Sequence, residues 1–198
     1  MITKVAVLID GGFFWQRFIA QNKKDPTASD VLIAVQNAMD KVENKTHGDT
    51  KDVLFRVFYY DCDPFSGIID DHTHKKKIDC SKSPIYANKT KFLSDLCKLD
   101  KFALRKGELS FAGWKQDMHN TSKWKPDFNQ KGVDMKVGID MASMAIKHVV
   151  DKMVLIAGDS DFVAPIKFVR REGVQVYLYR MGNQVKPSLI EHCDFDLK

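Results

Sequence analysis

Acids stand at the ends of three apolar runs in this chain of 198 residues, and another opens a helix-like stretch. Asp10 closes KVAVLID, Asp61 and Asp63 follow VLFRVFYY, and Asp159 and Asp161 lie in LIAGDSDF. Asp134 comes just after Gly132 in KGVDMKVGIDM. A lone charge at the end of a buried strand costs several kcal/mol unless it is paired, hydrated or metal-bound. Taken singly, each acid is explained by capping, because Asp is a favoured N-cap and a carboxylate suits a positive helix terminus. Capping does not explain why several acids gather at one edge of one sheet. Carboxylates held close repel unless a cation neutralises them, and a set with neither His nor Cys suits Mg²⁺ or Mn²⁺ rather than Zn²⁺. Such an ion polarises a phosphoryl oxygen and activates water. The residues therefore point to metal-assisted phosphodiester hydrolysis, with Asp10, Asp134, Asp159 and Asp161 as catalytic and metal-holding groups. Asp140, six residues after Asp134, lies roughly 120° further round a helix and is expected to support the centre from outside, as is Ser160.

The elements that would position these acids alternate along the chain. Strands are expected at Val5 to Ile9, Val53 to Tyr60, Phe102 to Lys106, Met153 to Ala157 and Val174 to Tyr179. Helices are expected over Ser29 to Val42, Lys89 to Lys98, Val133 to Val150 and Phe162 to Glu172, the last closed by Gly173. Near-continuous apolar strands separated by helices predict an α/β fold, a three-layer α/β/α sandwich on a mainly parallel sheet. Ligands of such sheets bind beyond the carboxyl ends of the strands, where the acids fall. One domain over residues 1–198 is expected, with long loops around 61–84 and 110–131.

Composition narrows the function further. The hydrophobic share of 44% supports a sizeable core, and four scattered cysteines without C-x-x-C spacing read as free thiols. No apolar run is long enough for a membrane span and the N-terminus lacks a signal-peptide pattern, so a cytoplasmic protein is expected. Much of the net charge of +5 sits between Asp61 and Lys131, where 14 Lys and Arg face 10 Asp and Glu. There lysines interleave with Phe111, Trp114, Trp124 and Phe128, a pattern suited to stacking the bases of single-stranded nucleic acid. The same aromatics also fit a subsidiary core layer. Lys136, Arg170 and Arg171, with Trp114 and Trp124, are the candidate nucleic-acid contacts. A zinc site from Cys62, His72, His74 and Cys80 matches no justified spacing, and no G-x-G-x-x-G follows the first strand. A haloacid-dehalogenase phosphatase would need an acid at Gly12.

In order along the chain, VLIDGG, RVFYYD, FLSDLCKLDKFALRKGEL, QKGVDMKVGIDMASMA and LIAGDSDFVAPIKFVRREGVQVYLY resemble the NYN domain of the LabA/DUF88 family, a branch of the PIN-like nucleases. The tail PSLIEHCDFDL is similar to that family's closing helix. The resemblance implies a PIN-like α/β/α sandwich and a metal-dependent ribonuclease acting on RNA, single-stranded in preference. Asp10, Asp134, Asp159 and Asp161 match the family's carboxylates, and Asp140 a recurrent acid. The family often carries Asn after the first Asp-Gly, as D-G-x-N, whereas residues 10–14 here read DGGFF. A non-catalytic RNA-binding or regulatory module that keeps the fold is the alternative. The aromatic and apolar cluster after Asp10 could serve as a homodimer interface.

Overall fold

In a computed structural model describing residues 2–46, 51–118 and 120–198, the first half of the chain runs β1 (Ile2–Asp10), α1 (Gly11–Asn22), α2 (Ala28–Lys45), β2 (Lys51–Cys62), β3 (Ile68–Asp70), β4 (Lys77–Asp79) and α3 (Pro84–Leu96). It continues through β5 (Phe102–Asp117), β6 (Asn120–Lys131), α4 (Val133–Ile146), β7 (Lys152–Ile156), α5 (Val163–Arg171), β8 (Gln175–Leu178), α6 (Pro187–Glu191) and β9 (Phe195–Asp196). The strand order is β6-β5-β2-β1-β7-β8-β9, and every pairing is parallel except β5 with β6. Among the described residues no helix is long and apolar enough to cross a membrane.

The pleat of β1 divides the core. Val5, Val7 and Ile9 pack with Phe14 of α1, Val35 of α2 and Phe92 of α3 on one face, while Ala6 and Leu8 pack with Val137 of α4, Ile166 of α5 and Leu189 of α6 on the other. Fully buried apolar side chains on both faces explain why β1 reads as a continuous apolar run, and they give the expected three-layer sandwich. Local signals set the helix starts. Thr27 and Asp30 form a reciprocal capping box before α2, and Ser83 caps α3 ahead of Pro84 in the first turn. α4 ends at Ile146, short of the expected Val150, and His148 follows with a left-handed φ of 47°.

Two expectations are corrected. Residues 110–131 are no loop. β5 pairs with β2 only as far as Cys62 opposite Gly107, and from Glu108 onward it pairs instead with β6, so the two strands form an arm projecting past the carboxyl edge of the sheet. The lysine-rich spacing hid these strands, because neither face of the arm is continuously apolar. The aromatic cluster after Asp10 is likewise no free interface: Phe14 and Phe18 are buried in their own core, and Trp15 packs edge-on against Phe92 with ring centroids 5.0 Å apart. Within 61–84, β3 and β4 form a small hairpin that lies against the arm, where the Trp114 indole N–H donates to the Asp70 carbonyl at 2.9 Å.

Candidate functional site

Asp10 ends β1 and caps α1, its Oδ1 accepting the Phe13 backbone N–H at 3.1 Å. Glycine is required next to it. A Cβ on Gly11 would come within 2.6 Å of the Tyr60 carbonyl oxygen and 2.7 Å of Asp61 Oδ2, so the bare Cα lets the β1–α1 turn lie against the end of β2. Burial pushes the Asp10 carboxyl from 3.8 up to about 6; the Phe13 and Gly12 N–H groups oppose the shift, and the charges of Asp134 and Asp61 add to it.

Asp134 lies in the first turn of α4, two residues after Gly132, whose φ of 77° turns the chain out of β6. Burial raises its carboxyl above the ordinary range, and the charges of Asp159 and Asp161 raise it further. Those two acids follow β7 in a short helical turn, where Asp159 Oδ1 accepts the Asp161 N–H at 3.0 Å. Asp10 thus feels Asp134, and Asp134 feels Asp159 and Asp161. The fold brings together at one sheet edge four acids drawn from three separate strand or helix ends.

The neighbouring acids are engaged differently. Asp61 is buried and salt-bridged to Lys89 of α3 at 2.7 Å, and Asp63 pairs with Lys106 at 2.7 Å. Among the described residues no ion pair engages Asp10, Asp134, Asp159 or Asp161. Their donor chemistry, all carboxylate oxygen, fits a hard divalent cation, and a cation would offset the burial and the like charge that raise Asp10 and Asp134. Among the described residues no group of three or more His, Cys, Asp or Glu stands ready grouped to hold an ion. The acids are near enough to perturb one another but are not drawn into a closed cage.

Other predicted contacts separate. Ser160 stands between the two GDSD acids, and its hydroxyl accepts from Lys186 Nζ at 3.1 Å. Asp140 does not back Asp134: its Oδ2 accepts from Tyr60 Oη and Arg105 Nε, both at 2.9 Å, tying α4 to β2 and β5. Lys136 is at the root of the arm, with its ammonium on the Lys106 carbonyl. Arg170 and Arg171 lie apart from the acids. α5 runs back across the sheet from the GDSD turn, so its last turn lies at the amino edge beside the start of β8, where Arg170 pairs with Asp194 at 2.8 Å and donates to the His192 carbonyl. Trp114 and Trp124 lie on the arm, and Trp124 stacks on His72 with planes 11° apart. Phe111 and Phe128 contact Phe65 as an aromatic layer beneath the arm.

Sequence reasoning missed Lys186 and Lys89. Lys186 precedes Pro187 in a stretch with no periodicity, and nothing in the local pattern tied Lys89 to Asp61, 28 residues away. The two phenylalanines after Asp10-Gly11-Gly12 divide their work. Phe14 is fully buried beneath the site, while the Phe13 ring covers Gly158, where a Cβ would meet the ring at 2.5 Å.

A protein-family profile described as NYN domain matches residues 85–197, from α3 to the last strand. The crystal structure of a protein of unknown function from Vibrio parahaemolyticus is similar in fold, with a TM-score of 0.51 and 14% sequence identity over 99% of this chain and 92% of that one. Among curated proteins none matches the chain in sequence.

Proposed function

Because this chain belongs to the NYN domain family, we propose that it is a metal-dependent ribonuclease that hydrolyses phosphodiester bonds of single-stranded RNA with Mg²⁺ or Mn²⁺. The observation that carries the reading is the charge coupling that links Asp134 to Asp10 on one side and to Asp159 and Asp161 on the other. Burial and like charge hold Asp10 at about 6 and raise Asp134, a cost that a divalent cation bound among them removes. The motifs KGVDMKVGIDM and GDSDF support the LabA/DUF88 branch of the PIN-like nucleases.

Asp10, Asp134, Asp159 and Asp161 would hold the ion. When bound, it polarises a phosphoryl oxygen and lowers the pKa of water. The chain's own part is positional. Capping fixes the carboxylates of Asp10 and Asp159 against backbone N–H groups before any substrate arrives. Lys186, anchored on Ser160, supplies positive charge beside the GDSD turn, and Lys136 supplies it at the arm root. Gly11 and Gly12 keep the strand end low enough for a phosphate backbone to approach.

The test is cleavage of labelled single-stranded RNA with Mn²⁺ or Mg²⁺ by the wild type beside Asp10→Asn and Asp159→Asn. Loss of cleavage in both variants is expected, and unchanged cleavage in both sinks the assignment. One observation favours the second reading, a non-catalytic RNA-binding module: Phe13, at the position of the family's Asn, offers Gly158 a hydrocarbon face in place of an amide. RNA retention without metal, coupled with no cleavage of any substrate, would favour that module.

A further inference from the structure

Between the arm and the 63–89 segment lies a cavity of about 690 Å³, and it is not one of the acids' own features. Its walls include Phe65, Trp114 and Phe128, which touch one another or Phe111 and remain half-buried. The indole N–H of Trp114 is already used on the Asp70 carbonyl, so what that side chain offers is its face. Part of the lining is polar. Asp61 and Lys89 form an ion pair there, with Lys89 Nζ also 4.0 Å from the Trp15 ring centroid, and Asn88 and Gln130 add amides that can both donate and accept. Most ligand pockets fall between about 300 and 1,000 Å³ and combine apolar walls with a few convergent polar groups.

Position decides the occupant. Asp61 is one of the charges that raise the Asp10 carboxyl, and the Gln130 side-chain oxygen lies 3.7 Å from where a Gly12 Cβ would be. The cavity therefore lies beside the β1–α1 turn that carries Asp10. We propose that it is a base-binding subsite, which takes an unstacked nucleobase of the strand whose phosphate lies at Asp10, Asp134, Asp159 and Asp161. Flat aromatic faces stack a base regardless of its identity, and the amides of Gln130 and Asn88 meet its edge. A lipid tail would leave that polar lining unpaired, and a peptide would have no reason to begin at a cluster of acids.

The inference rests on the nuclease reading, and the experiment separates the two. Fluorescence anisotropy of a labelled single-stranded hexaribonucleotide on the Asp10→Asn protein is compared with that of hexamers carrying one abasic site, walked along the strand. Bis(p-nitrophenyl) phosphate, which has no base, is assayed with the wild type and with Trp114→Leu and Phe128→Leu. One abasic position should bind roughly 5- to 100-fold more weakly than the intact strand, with the difference lost in Trp114→Leu. Both leucine variants should lose more of their activity on the hexamer than on the small diester. Equal binding of all hexamers, no saturable binding of any, or equal slowing of both substrates by the leucine variants overturns the subsite. Position-dependent abasic binding by a protein that cleaves neither substrate leaves the subsite standing and removes the nuclease reading.

Discussion

The two edges of the same sheet treat their carboxylates in opposite ways. At the amino edge, Asp52 meets Lys152 at 2.6 Å with both side chains about 5% exposed or less, Thr3 donates to the same carboxylate, and Asp194 is held by Arg170 and the Val176 N–H. At the carboxyl edge, Asp61 is paired with Lys89 and the exposed Asp63 with Lys106, but among the described residues no ion pair engages the other four acids. Neutralised charges hold the fold together, whereas crowded carboxylates left without a cation weaken it. The proposed divalent cation would supply at the carboxyl edge the positive charge that Lys152 and Arg170 supply at the amino edge.

The largest effect should come from breaking the paired edge. Lys152→Met leaves Asp52 buried without its ammonium and should cost about 3–5 kcal/mol in urea unfolding, the usual result of removing one partner of a buried pair. On the crowded edge the sign reverses. A carboxyl raised from 3.8 to about 6 binds more protons folded than unfolded between those values, so its ionisation destabilises the fold as pH rises through that window. Asp10→Asn, which keeps a capping oxygen, should therefore raise stability by about 1–3 kcal/mol at pH 7 and leave it nearly unchanged at pH 4; equal changes at both pH values would refute the electrostatic account.

Metal should mimic that substitution. Saturating Mn²⁺ at about 100 times its Kd should stabilise the wild type by about 2.7 kcal/mol and Asp10→Asn or Asp159→Asn far less, read as a shift in thermal midpoint. The smallest effect belongs to the remote edge, where Arg171→Ala should alter RNA affinity only through general charge and stability by less than about 0.5 kcal/mol. A selective loss of RNA binding in that variant would mean that substrate extends across the sheet.

The sequence carried the sheet and its acids because the two signals are local. Buried strands such as VAVLI have to be continuously apolar, and an acid ending such a run stands out. What escaped is set by pairing between distant segments. The β5–β6 arm is amphipathic on neither face, Lys89 reaches Asp61 across 28 positions, and α5 carries Arg170 to the far edge simply by being a crossover helix. Asp140 was legible as an acid at helical spacing, but its partners Tyr60 and Arg105 come from two strands whose order the spacing could not reveal.

The arm also dictates which changes of chain length the molecule tolerates. β6 runs straight into α4 through Gly132, so the register from Glu108 opposite Lys131 fixes where the helix begins. One residue inserted at residues 130–132 would displace Asp134 by about 3.4 Å, the rise of one strand position, and carry it away from Asp159 and Asp161. The same residue added at the hairpin tip near Asp117 would leave the centre where it is. Natural variation in arm length should therefore accumulate at its far end, while its base keeps a constant count.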